Sequence, residues 1–241
     1  MIIVRHGEIY TKSPPVRRQF IEKLAQNIRA ALPDAKIVKK RWRILVYAED
    51  ERKAVEKLKR VFGVVSFSTC IETDAELGKI KKAVERFLPK IKGKTFAVRA
   101  QRLTKELFES QRINEVIGDF VRKRAKAKVN LDNPKVTLGI EIYDGRAFVF
   151  IDKHAGAGGL PLGTAGKMLL IKSKNSGLAA WMIRKRGIEV DVKAKYPLGA
   201  VTGETDVGRF LRLKKKYKVP VYAPLIGLNK KELDELKKKV G

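Results

Sequence analysis

Residues 136–151 read VTLGIEIYDGRAFVFI. Val136, Leu138, Ile140 and Ile142 alternate strictly with Thr137, Gly139, Glu141 and Tyr143, the period of a β-strand. Asp144-Gly145 follows, and then the apolar run Ala147 to Ile151. Asp-Gly suits the positive φ angles of a type I′ turn, so the stretch predicts a β-hairpin. Upstream, Phe96 and Val98 alternate with Ala97 and Arg99, a half-buried strand whose Arg99 stands off the apolar side. Leu77, Ile80, Val84, Phe87 and Leu88 lie at helical spacing, ending near Pro89. Ile113, Val116, Ile117, Phe120 and Val121 make a second helical stripe. Helices and strands of this kind build an α+β unit, placed at residues 67–158.

Outward from that unit, residues 1–66 predict strand, helix, strand, helix, strand. Residues 1–5 are a short apolar strand. Ser13-Pro14 opens a helix whose stripe is Val16, Phe20, Ile21, Leu24, Ile28 and Leu32, and Pro33 ends it. Ile44 to Tyr47 is β-rich. Val55, Leu58 and Val61 mark a second helix, and Phe62 to Ile71 a strand with a turn at Gly63. On the other side, a glycine-rich connector from Gly156 to Gly166 leads to residues 159–241. There a strand at Met168 to Ile171 is followed by a helix near Leu178–Arg186, with Gly187 at its C′ position. Ile188, Val190 and Val192 alternate, Val219 to Leu228 reads as strand and loop, and Asn229 with Glu232 forms a capping pair. Strand, helix, strand is the opening of a parallel α/β sheet. The stretch between Tyr196 and Val207 reads as irregular.

Charge narrows the partner. Of 241 residues, 54 are Lys or Arg and 26 are Asp or Glu, a net charge of +28. Residues 1–66 carry 16 basic and 7 acidic side chains, residues 67–158 carry 19 and 12, and residues 159–241 carry 19 and 7. The field therefore belongs to the whole body rather than to a tail. A thermophile surface raises Lys and Glu together, so thermophily alone does not account for the two-to-one excess. A polyanion, and nucleic acid first, is the expected partner. No run approaches the roughly 20 apolar residues of a membrane span, and no signal-peptide pattern opens the chain, so a cytoplasmic protein without a membrane partner is expected. One cysteine, Cys70, and two histidines, His6 and His154, argue against a disulfide framework or a metal centre.

Specific residues resemble a family. Gly7-Glu8-Ile9 with Lys12-Ser13, Arg17 and Phe20 is similar to the start of tRNA 4-thiouridine synthetases, also called thiamine-biosynthesis sulfurtransferases. Val98-Arg99-Ala100, Arg102, Lys105, Asn114, Gly118, Val129-Asn130-Leu131 and Asn133-Pro134 resemble that family's THUMP domain. Gly158-Gly159-Leu160-Pro161, Arg184-Lys185-Arg186-Gly187, Val201-Thr202-Gly203-Glu204 and Pro224-Leu225-Ile226-Gly227 resemble its catalytic domain. The resemblance implies an N-terminal ferredoxin-like domain (1–66), a THUMP domain (67–158) and a Rossmann-like PP-loop domain (159–241). The first two imply tRNA binding. The third implies ATP-dependent adenylation of a uridine, after which a persulfide sulfur replaces its oxygen.

The family's loop pattern, Ser-Gly-Gly-x-Asp-Ser between a strand and a helix, is altered. Aligned on Ala179-Ala180-Trp181, residues 171–176 read Ile-Lys-Ser-Lys-Asn-Ser. Lys172 and Ser173 replace the glycines that let backbone amides cradle phosphate. Asn175 replaces the aspartate, and Ser176 is retained. Lys172 and Lys174 still attract phosphate by charge. Glu204 either lines a nucleotide pocket, as in the family, or stands in a plain turn. The resembling domain is also short, with the shortfall between Tyr196 and Val201 and in the C-terminal sulfur-handling part.

The expected RNA contacts are Lys12, Arg17, Lys39, Lys40, Arg41, Trp42, Arg43, Arg99, Arg102, Lys105, Arg122 and Lys123. Trp42 within its basic run either stacks on a base or lies buried under its own strand. Arg122 and Lys123 also complement a helix dipole, and Lys214 to Lys216 read as a solvated helix face. Cys70 is either a small buried residue or the one available sulfur carrier. Two functions follow. One is a tRNA-binding protein with a lost ATP loop, no catalytic residue and no cofactor. The other is a divergent sulfurtransferase that uses ATP, with a sulfur-donor or modifying enzyme as partner. A docking role or a homodimer stands beside both.

Overall fold

The computed structural model describes residues 1–104 and 109–240. The first part of the chain holds β1 (Ile2–Arg5), a 3-10 turn (Glu8–Thr11), α1 (Pro14–Ala31), β2 (Lys36–Lys39), β3 (Ile44–Tyr47) and α2 (Glu51–Leu58). Next come β4 (Ser66–Thr69), β5 (Ile71–Asp74), α3 (Leu77–Glu85), α4 (Leu88–Ile91), β6 (Thr95–Arg102) and α5 (Ser110–Ala125). They are followed by β7 (Lys128–Val129), β8 (Val136–Tyr143), β9 (Arg146–Phe150) and β10 (His154–Ala155). The last part is β11 (Lys167–Ile171), α6 (Ser176–Arg184), β12 (Glu189–Asp191), β13 (Ala200–Thr202), α7 (Val207–Lys216), β14 (Val221–Tyr222) and α8 (Lys230–Val240). The chain divides into two compact units. One gathers residues 1–5, 34–56 and 66–155, the other 6–33, 57–65 and 156–241.

The first unit has two five-stranded sheets, ordered β10-β4-β1-β3-β2 and β5-β9-β8-β6-β7. The hairpin forms with Tyr143 opposite Arg146, and Asp144 and Gly145 both take positive φ, 51° and 70°. The alternation along β8 divides its residues between two cores. Leu138, Ile140 and Ile142 join Phe96, Val98, Ile80, Ile113 and Ile117 under α3 and α5. On the other side, Tyr143, Phe148 and Phe150 pack with Ile3, Leu45 and Cys70. Each fully buried side chain of this size contributes roughly 1.5–3 kcal/mol by removal from water. The run from Phe62 to Ile71 is not one strand. The chain turns through 62–65, β4 pairs with β1, Cys70 interrupts, and β5 pairs with β9 in the other sheet. The expected helix up to Pro89 is also divided. α3 ends at Glu85, and Pro89 opens the single turn α4, where its missing N–H costs nothing.

In the second unit a four-stranded parallel sheet runs β12-β11-β13-β14. One face packs on α6 and α8 through Leu178, Ala179, Leu225, Leu233 and Leu236. The other packs on α7, where Phe210 and Leu213 meet Ile171, Ala200 and Val221. A parallel sheet needs cover on both faces, and α7 supplies the second. The stretch 196–207 expected to be irregular contains β13, a wholly buried strand. Three residues are too few for a period to show, so β13 was not legible. Asn229 and Glu232 close a reciprocal capping box at α8: Glu232 Oε2 accepts from the Asn229 amide at 2.8 Å, and Asn229 Oδ1 from the Glu232 amide at 3.0 Å.

Candidate nucleic-acid and nucleotide sites

The loop between β11 and α6 lies beside the loop that follows β13. Because β11 leads to β12 on one side and β13 to β14 on the other, these two carboxyl ends form the topological switch point of the sheet. Ligands of open α/β sheets sit there. In this chain the two loops hold each other. The Gly203 amide donates to Ser173 Oγ at 3.0 Å, and the Ser176 amide donates to the Ser173 carbonyl at 3.2 Å. Gly203 packs so closely on the Asn175 carbonyl that a β-carbon there would overlap it. Asn175 occupies the N-cap of α6 without a side-chain cap bond. Lys172 and Lys174 are exposed, and Glu204 is half-buried. The six expected pocket residues are thus brought together, with one amide already satisfied by the Ser173 side chain.

The expected RNA contacts divide by environment. Lys39, Lys40 and Arg41 are exposed on β2 and its turn into β3, and Arg41 stands 5.0 Å from the centre of the half-buried Trp42 ring. Trp42 therefore has both protein packing and an accessible part. Arg99 is exposed on β6, as its alternation requires, and donates to the Leu131 carbonyl. Arg102 is half-buried, and Lys105 lies outside the described residues. Arg122 and Lys123 are exposed at the end of α5, and both pair with Asp119 at 2.6 and 2.7 Å. The hydrogen bond from Lys123, with that from Arg122, holds the Asp119 carboxyl below the usual carboxylate range. Lys12 is half-buried, and Arg17 donates from Nη2 to the Tyr10 and Lys12 carbonyls at 3.0 and 3.2 Å. Arg17 thereby ties α1 to the turn before it.

Arg43 departs from the expected RNA-contact set, because it is buried. Its Nε donates to Glu141 Oε2 at 2.7 Å, and Arg5 Nε donates to Glu141 Oε1 at 2.5 Å. Arg5 also reaches Ser68 Oγ at 3.0 Å and lies 4.6 Å from the centre of the Phe150 ring. All three charged side chains are more than nine-tenths buried. Arg43 thus holds the first unit together and does not face a ligand. Glu141, which binds both arginines, does not stand among the residues expected from the sequence. The available signal was an acid on β8, in line with Gly139 and Tyr143 and opposite Ile140. Cys70 is 7% exposed, and its thiol lies 3.5 Å from Met1 Sδ. Burial pushes that thiol up to about 12, far from a reactive thiolate.

Two family models match the chain: the ThiI ferredoxin-like domain over residues 1–68 and the THUMP domain over residues 74–152. A probable tRNA sulfurtransferase of Thermococcus kodakarensis is 36% identical over 257 residues, covering 100% of this chain and 66% of that protein. The chain belongs to the tRNA sulfurtransferase family. The probable tRNA sulfurtransferase of Methanobrevibacter smithii is 35% identical over 199 residues, covering 79% of this chain and 52% of that protein. The chain thus spans between about half and two thirds of these family members. Among solved structures, PH1313 from Pyrococcus horikoshii is 30% identical with a TM-score of 0.86, matching 100% of this chain and 99% of its own. A 4-thiouridine synthetase crystallised with RNA and ATP shares the fold at a TM-score of 0.76 and 22% identity. Among the described residues no helix is long and apolar enough to cross a membrane.

Proposed function

We propose that the chain is a cytoplasmic tRNA-binding member of its family in which the ATP loop no longer holds nucleotide. Its domains are the ferredoxin-like segment 1–66, the THUMP segment 67–158 and a shortened PP-loop segment 159–241. tRNA is held through phosphates and shape by Lys12, Arg17, Lys39, Lys40, Arg41, Trp42, Arg99, Arg102, Lys105, Arg122 and Lys123. The observation that carries the lost-loop reading is the Gly203 amide bound to Ser173 Oγ. Ser173, standing where the family loop has glycine, turns its hydroxyl onto the neighbouring loop and holds the Gly203 amide there. The absence of both loop glycines and of the loop aspartate agrees with it.

A second reading keeps the enzyme. The strand–loop–helix arrangement of β11 and α6 is retained at the switch point, and Lys172 and Lys174 are exposed beside it. In that case ATP binds, and a separate sulfur donor serves the reaction because Cys70 is buried. Titration calorimetry with ATP and magnesium, with and without tRNA, separates the two. No heat of binding in either case agrees with the lost loop. A micromolar dissociation constant overturns it and favours a sulfurtransferase acting on tRNA.

A further inference from the structure

The second unit contains a cavity of about 780 Å³ away from the switch point. It lies along the edge strand β12, next to the start of β11. Its walls come from α1, from the segment after α2, from the connector and from the segment after β12. The volume falls within the roughly 300–1,000 Å³ of small-ligand pockets. Five cations line it, Arg60, Lys167, Arg184, Lys193 and Lys195, against two carboxylates, Glu189 and Asp191. Glu189 is already engaged by Lys167 at 3.0 Å and Lys23 at 3.8 Å. Arg184 donates to the Val190 carbonyl at 2.9 Å, so Arg60, Lys193 and Lys195 carry the rim. With five cations against two carboxylates the cleft is net positive, and such a cleft concentrates anions.

The rest of the lining suits a base. Val61, Phe62, Leu162 and Ala194 supply apolar surface. Phe62 is half-buried and backed by the Trp181 ring at 6.3 Å, which fixes its position. Immediately after Lys195 stands Tyr196, 96% exposed and in left-handed backbone at φ 49°. A side chain with a β-carbon disfavours that conformation, and an aromatic ring disfavours that exposure. Aromatic rings beside a basic rim are how proteins hold unstacked nucleotides.

We infer that this cavity takes one unstacked nucleotide of the bound RNA, its base among Val61, Phe62 and Leu162 and its phosphates against Arg60, Lys193 and Lys195, with Tyr196 stacking on the neighbouring base. The site rests on the RNA-binding reading above but uses none of the residues named there. Fluorescence anisotropy with full-length tRNA tests it on the whole chain, with the double variant Arg60→Ala/Lys195→Ala and the single variant Tyr196→Ala. All three positions are exposed, so thermal melting should match the parent.

The double variant should lose about tenfold in affinity, and its salt slope should fall by about 1 for each cation removed. Tyr196→Ala should lose about tenfold with an unchanged slope. If the parent binds tRNA and both variants bind it equally well, the site is wrong and the RNA reading stands. If the parent does not bind tRNA, both fall. Uridine monophosphate is titrated in parallel. Weakened binding of the mononucleotide by the variants, with tRNA affinity intact, assigns the cavity to free nucleotide and overturns the RNA assignment.

Discussion

In the first unit Arg5 and Arg43 stand against Glu141 with less than a tenth of each side chain exposed. In the second unit Arg60, Lys193 and Lys195 stand exposed around an open cavity. The same residue types do opposite work. A buried charge exacts a desolvation cost that only a partner offsets, so its removal is a matter of stability. An exposed charge around a cleft costs the fold little, so its removal is a matter of binding. The net charge of +28 counts both kinds alike. Only the partner and the burial separate them.

The largest expected effect breaks the buried side of this contrast. Glu141→Ala leaves two arginines without their shared carboxylate and should cost about 3–5 kcal/mol, read from urea unfolding. A loss below about 1 kcal/mol would show that the triad does not hold the unit. Cys70, in the same core, gives a pH test. Its thiol stays protonated in the fold up to about 12, against about 9 for an ordinary thiol. The unfolded chain releases that proton first, so the raised value stabilises below about pH 9 and is lost as pH rises toward 12. Stability should decline more steeply there in the parent than in Cys70→Ala, by up to about 1.4 kcal/mol per pH unit. Parallel curves would contradict the burial.

On the other side of the comparison, Gly203→Ala forces a β-carbon onto the Asn175 carbonyl. It should destabilise by about 1–3 kcal/mol, the usual range for overpacking. A neutral substitution would mean that the two loops part easily, which would favour a nucleotide entering between them. Smallest is Asn229→Ala, which removes one half of the α8 capping box and should cost about 1 kcal/mol. Both are read from thermal or denaturant melts. Neither should alter tRNA affinity, because neither residue carries a ligand contact in this account.

What the sequence made legible follows its periods. The β8–β9 hairpin, α1, α5 and the capping box at Asn229 were readable because alternation, helical stripes and turn chemistry are local. β13 was not, because three residues show no period and its burial comes from strands on either side. The break at Cys70 was hidden because one apolar run serves two sheets. Among the site residues, Arg99 was placed correctly off the core by its alternation. Arg43 was not, because its partner Glu141 lies 98 positions away. The cavity beside β12 was invisible for the same reason, since its lining is drawn from four separate stretches of chain.

If tRNA is held through phosphates by exposed cations, its affinity must depend steeply on salt. Anisotropy titration of the full chain against tRNA between 50 and 200 mM salt tests it most directly. For six or more phosphate contacts affinity should fall by about a thousandfold or more, linearly in log–log form. An affinity that does not change over that range would contradict it.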